Sequence, residues 1–195
     1  MKFTSSLACS IFCIVLTSCG LTPSNDGDVD KIKWEKLESS GFSLSIPDYM
    51  HVLSQDINPD AEFIYGHEIK EVYTMVIKES ISDVDESFAI IGSSPYASGL
   101  AGYAEFVKDN ISETASEVKN MSAIKDSKIN GLDSKMFEIE TKIDDLDVYY
   151  ALNVIQGKDS YYQVYSWTLL ERKDKYKDVL NEILISFQES VSSNQ

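Results

Sequence analysis

His51 and His67 are the only imidazoles in this 195-residue chain, and neither stands in an HExxH or other paired-ligand spacing. A serine hydrolase needs a nucleophile, a base and an acid, ideally on a Gly-x-Ser-x-Gly elbow. The nearest approach, Gly92-Ser93-Ser94, lacks the second glycine and reads as turn chemistry. No Gly-rich pattern offers backbone amides to a nucleotide phosphate. Carboxylates are abundant, so Asp83/Asp85 and Asp144/Asp145/Asp147 read as solvated loops; a glycosidase pair would need two carboxyls about 5–9.5 Å apart in a cleft. Asp26, Asp28 and Asp30 open like a calcium loop, but Lys31 takes the glycine's place and Leu37 the bidentate glutamate's. Surface calcium at residues 144–147 is the open alternative. The expectation is no catalytic residue, no metal site and no cofactor.

Cysteine chemistry is confined to the start of the chain, at Cys9, Cys13 and Cys19. Lys2 precedes an apolar run, Leu7 to Leu16, that has signal-peptide length and falls short of the roughly 20 residues of a spanning helix. Then comes Leu16-Thr17-Ser18-Cys19-Gly20, which resembles a lipobox: small residues admit the backbone to the peptidase, and the Cys19 thiolate takes the diacylglyceryl group. The reading is an export signal over 1–18 and lipidation at Cys19, whose acyl chains hold the membrane at about 0.8 kcal/mol per buried methylene. Gly20 in place of aspartate points to the outer membrane facing the periplasm, with surface exposure as the alternative.

The formal charge is −15, from 17 basic and 32 acidic residues, with Arg172 the single arginine. A phosphate-binding face needs clustered cations, so nucleic acid is excluded as a partner, and anionic headgroups would repel the domain. Residues 19–31 are small, polar and acidic, and read as a lipidated cysteine with a flexible tether. Residues 32–190 are expected to form one domain, followed by a polar tail over 191–195.

Within that domain, Phe42, Leu44 and Ile46 alternate with serines in a strand stopped at Pro47. Strands are expected over 61–65 and 72–78, joined by a turn at 67–71; the second is apolar on both faces, as a central strand would be. Leu100, Ala104, Val107, Ile111, Ala115 and Val118 recur at helical spacing. Strand-like runs at 136–140, 148–154 and 161–169 follow as a meander. A last helix starts near Asp174 and buries Tyr176, Val179, Leu180, Ile183, Leu184 and Phe187. Residues 80–99 show no clear period and read as a long connection that caps the core or docks a partner. The sum is an α+β domain, an antiparallel sheet with helices packed on its faces.

Several of these segments resemble the PsbP-like superfamily: Gly41-Phe42-Ser43-Leu44-Ser45-Ile46-Pro47, Lys135-Met136-Phe137-Glu138-Ile139, Tyr149-Tyr150, Gly157 through Val164, Trp167-Thr168 and the closing Ile185-Ser186-Phe187. The resemblance spans roughly residues 34–188. It implies an α/β/α sandwich around an antiparallel sheet and an accessory role in binding proteins, as in the superfamily's DcrB-type bacterial lipoproteins. It carries over no catalytic residue, since the matched positions are core and turns. The aromatic surplus supplies the candidate partner surface: Phe88, Ile91 and Tyr96 in the long connection, and Tyr149, Tyr161 and Trp167 on adjacent strands, with core packing as the competing account. The expected function is therefore an envelope-anchored, non-catalytic binding module. A small-ligand carrier and a carboxylate-based hydrolase are the alternatives, and the partner protein is left unidentified.

Overall fold

The computed structural model describes residues 27–90 and 95–190. The expected export signal, Cys19, the expected tether as far as Asp26, Ile91, Gly92-Ser93-Ser94 and the expected polar tail lie outside the described residues. In chain order the elements are β1 (Trp34–Ser39), β2 (Phe42–Pro47), β3 (His51–Val52), β4 (Ala61–His67), β5 (Val72–Ser80), α1 (Ile81–Ile90) and α2 (Leu100–Thr114). β6 (Glu117–Met121), β7 (Lys125–Ile129), β8 (Leu132–Ile143), β9 (Leu146–Gln156), β10 (Ser160–Leu169), α3 (Lys173–Ile185) and β11 (Gln188–Glu189) follow.

The main sheet runs β3-β4-β5-β10-β9-β8-β6, with β7 also paired to β8, and every described pairing is antiparallel. Sequence neighbours pair as hairpins. Asn130 and Gly131, both at positive φ, make the tight β7–β8 turn that Asn-Gly favours. A smaller sheet, β1-β2-β11, shares no strand pairing with it.

The pleat gives the main sheet two apolar faces, and each builds a core. On the first, Val72, Val76, Val164, Ala151 and Tyr149 pack beneath α3 and β2, which supply Val179, Leu180, Ile183, Phe42 and Leu44. On the second, Met75, Ile77, Tyr165, Leu152 and Ile139 meet Tyr103, Ala104 and Val107 of α2 and Val84 of α1. The main sheet is thus sandwiched between layers, and β5 is covered on both sides as its sequence implies.

Three expectations change. Residues 80–99 are not a periodless connection: α1 occupies Ile81–Ile90, with Ile81, Val84 and Phe88 on its inner face at three- and four-residue spacing. The second helix stops at Thr114, and the Ser116 amide donates to the Lys142 carbonyl at 2.8 Å, which turns the chain into β6 and leaves Val118 exposed on an edge strand. β6 and β7 (Glu-Val-Lys-Asn-Met and Lys-Asp-Ser-Lys-Ile) carry no hydrophobic alternation because they lie at the sheet edge, where charged side chains discourage further pairing. At the N-terminal end, Val29–Lys31, within the expected tether, forms a 3-10 turn against α3.

Candidate functional site

Strand register assembles the most distinctive surface. Tyr73 of β5 lies opposite Trp167 of β10, and Trp167 lies opposite Tyr150 of β9. Residues directly opposite share a face of the sheet, so the three rings form a row across three adjacent strands on the second face. Tyr73 stacks on Trp167 with centroids 5.3 Å apart and planes 18° apart; Tyr150 meets Trp167 at 5.9 Å and 32°. Gly66 of β4 lies opposite Tyr73, and a Cβ there would stand 2.5 Å from the Tyr73 ring. The tyrosine therefore reclines over a strand position that has no side chain.

The helices of this face rest on β8, β9 and the end of β5, so Tyr73 and Trp167 are half-buried while Tyr150 is buried. Burial foremost, with Glu71 and Glu68 nearby, pushes the Tyr73 phenol up to about 12. It is a neutral phenol at physiological pH and no base.

A second aromatic group lies between the helices. Phe88, Tyr96 and Phe106 form a triangle with centroids 5.7, 5.4 and 5.4 Å apart, all half-buried, and the Tyr96 hydroxyl donates to Asp109 at 3.0 Å. Tyr103 stacks on Tyr161 at 4.5 Å beneath them. Tyr103 donates to the Glu79 carboxylate, Gln163 Nε2 donates to Glu79 at 2.8 Å and to the Tyr103 hydroxyl at 2.6 Å, and Tyr165 donates to Gln163 Oε1 at 2.6 Å. Every hydrogen-bonding group named in this network has a partner, so it fixes α2 on the sheet. Burial, then Glu79, raises the Tyr103 pKa and keeps it a donor.

The sequence candidates separate accordingly. Phe88 and Tyr96 come together, and Trp167 joins the other group. Tyr149 and Tyr161 are 0% and 1% exposed and leave the partner surface. Tyr149 faces α3, where Lys173 Nζ stands 4.6 Å from its ring, and Tyr161 lies under Tyr103. Alternation forces one of two adjacent tyrosines inward but not which one is covered, and here both Tyr149 and Tyr150 are, on opposite faces.

The sequence reading missed Tyr73, Phe106 and Arg172. The lone arginine is a clamp: Nη1 donates to the carbonyls of Ile69 at 3.0 Å and Lys70 at 3.2 Å, and Nε stands 2.7 Å from Glu71 Oε2 without hydrogen-bond alignment. Glu71, at φ 56° in the β4–β5 turn, is buried; desolvation raises its pKa against the pull of Arg172. Its signal was singularity, one arginine among 17 basic residues. Pairing of β3 with β4 also brings both histidines together, with rings 6.2 Å apart, and His51 pairs with Glu68 at 3.0 Å. Among the described residues no group of three or more His, Cys, Asp or Glu side chains is arranged to hold a metal ion, and no helix is long and apolar enough to cross a membrane.

No family model matches the chain, and no curated protein sequence matches it significantly. Solved structures do. The solution structure of cyanobacterial PsbP (CyanoP) from Synechocystis sp. PCC 6803 superposes with a TM-score of 0.52 at 15% identity, over 90% of this chain and 99% of that one. A crystal structure of a Bacteroides thetaiotaomicron protein gives 0.50 at 10% identity over 79% of this chain, which corresponds to 47% of that longer chain. LpqN of Mycobacterium tuberculosis, described as involved in cell envelope biogenesis, gives 0.44 at 11% identity over 83% of this chain and 92% of that one, a likeness too distant to inform function. Identities this low speak to architecture and not to activity. An antiparallel sheet held between packed layers, and matched along nearly the whole of a PsbP structure, gives this chain the PsbP-like fold.

Proposed function

We propose that the chain is a lipid-anchored, non-catalytic module of the cell envelope that binds a partner protein through the aromatic face of its sheet. The observation that carries this reading is the half-buried Tyr73–Trp167 stack, continued by Tyr150, on a face the helices cover only in part. Tyr and Trp on a rigid sheet offer large contact area at little cost in side-chain entropy. The anchor rests on the lipobox-like Leu16-Thr17-Ser18-Cys19 and on the resemblance to DcrB-type lipoproteins; Gly20 favours the outer membrane and the periplasmic side. The chain approaches the domain against α3, and Gly27 runs so close to Lys175 that a Cβ would meet its carbonyl oxygen. That contact lies on the first face, opposite the aromatic row. Lipid attachment would raise the module's effective concentration beside a membrane-bound partner.

The test is site-specific photo-crosslinking in intact cells. A photoreactive phenylalanine analogue at Ile69 or Leu146, exposed positions flanking the row, is expected to give one discrete protein adduct that Glu38 on β1 does not. No adduct, or the same adducts from all three positions, would overturn the reading.

A further inference from the structure

We propose that the aromatic face receives a basic, amphipathic peptide segment of the partner, an inference that rests on the binding-module reading and specifies its ligand. Two residues beyond Trp167, on the same side of β10, Leu169 carries the apolar surface to the end of the sheet. There Leu146 and Leu169, with Leu170 from the first-face side of the sheet end, line an open depression of about 460 Å³ together with Asp145, Asp147 and Glu171. Leu146 is 38% exposed, more than an isolated core position would allow.

The rim names the chemistry of the occupant. Asp147 pairs with Lys119 at 2.5 Å, whereas Lys142 stands off Asp145 at 3.9 Å. Glu171 forms no ion pair among the described residues, because the adjacent Arg172 is turned to Glu71 and the turn carbonyls. Glu68 adds a carboxylate near the Tyr73 end, held by His51. With a chain charge of −15, the long-range field adds to this local excess. Lys119 and Lys142 offset part of the rim charge, and Glu171 together with the chain's net charge leaves the balance against an anionic ligand. A segment alternating Lys or Arg with aliphatic residues meets both features at once: apolar side chains on the leucines and rings, cations on the carboxylate rim or over Trp167.

The probe is a fluorescein-labelled peptide of alternating lysine and leucine, with its glutamate–leucine counterpart, followed by fluorescence anisotropy with the purified full chain at about 50 and about 200 mM salt. The lysine peptide is expected to bind and the glutamate peptide not. Asp145→Asn, Asp147→Asn and Glu171→Gln together are expected to weaken binding about tenfold, and Leu146→Ser about threefold. Glu35→Gln, Glu38→Gln and Asp159→Asn together, remote exposed acids that remove the same charge, are expected to change it less than about twofold. Absence of binding, or equal weakening by the two triple variants, overturns the proposal. If crosslinking at Leu146 still captures a partner in that case, the binding-module reading stands and only the basic ligand falls.

Discussion

Gly66→Ala tests the aromatic row without replacing any of its rings. Gly66 is not among the positive-φ glycines, so alanine fits the backbone, and the perturbation is one methyl group. That methyl would stand 2.5 and 3.1 Å from two Tyr73 ring carbons and 2.8 Å from Leu53 Cδ1. Ordinary contact begins near 3.4 Å, so the ring must move by about 1 Å and tilt off Trp167. Overpacking of this kind costs roughly 1–3 kcal/mol, and loss of a stacked pair roughly 0.5–1.5, while alanine returns about 0.5–1 by restricting the unfolded chain. A net loss of about 2 kcal/mol is expected, read as a urea midpoint lower by roughly 1 M. The chain has two tryptophans, Trp34 and Trp167, so a Trp34→Phe background makes Trp167 the sole reporter; its emission and near-UV dichroism should change with the substitution. Adding Tyr73→Ala should recover part of the loss, with a coupling of about 1 kcal/mol in the double-mutant cycle. A Gly66→Ala protein as stable as its parent, with an unchanged Trp167 signal, would refute the packing argument.

Two further expectations concern the clamp and the anchor. A carboxyl whose folded pKa is raised contributes stability that is full below its unfolded range and is lost as pH rises through the raised value, so Glu71→Gln should stabilise the protein near pH 7 and not near pH 4. Arg172→Ala strands that buried carboxylate and should cost about 2–4 kcal/mol near pH 7, less in acid; denaturant melts at both pH values check the pair, and a pH-independent Glu71→Gln effect would contradict the account. Cys19→Ser should abolish acyl labelling and move the protein out of the membrane fraction, as fractionation of cells would show; a variant still lipidated and pelleted would place the modification elsewhere.

The fold class and most of the elements are already written in the residue pattern. β2, α2 and α3 were legible from their apolar periods, and β5, β9 and β10 from short β-branched and aromatic runs bounded by turn residues; the resemblance to PsbP-like proteins drew on many of those same core positions. β6 and β7 were not legible, since an edge strand is held by backbone pairing and needs no periodic face. α1 was obscured by the irregular stretch after it, although Ile81, Val84 and Phe88 carried its period.

The site was legible only in kind. Composition announced an aromatic surplus and a scarcity of catalytic groups, but it did not say which rings stay partly exposed. That was decided by register and by where α1 and α2 come to rest. Tyr149 and Trp167 are both strand aromatics, yet one lies under α3 and the other stays half-buried. Tyr73 joins Trp167 only because β5 and β10 pair in one register, and a one-residue slip would send it to the opposite face. Gly66, Arg172 and the carboxylates around Leu169 likewise acquire their roles from residues distant in the chain. Local periodicity is written in the sequence because each residue meets its near neighbours whatever the fold; which surface remains open depends on contacts between elements, which exist only once the layers have packed.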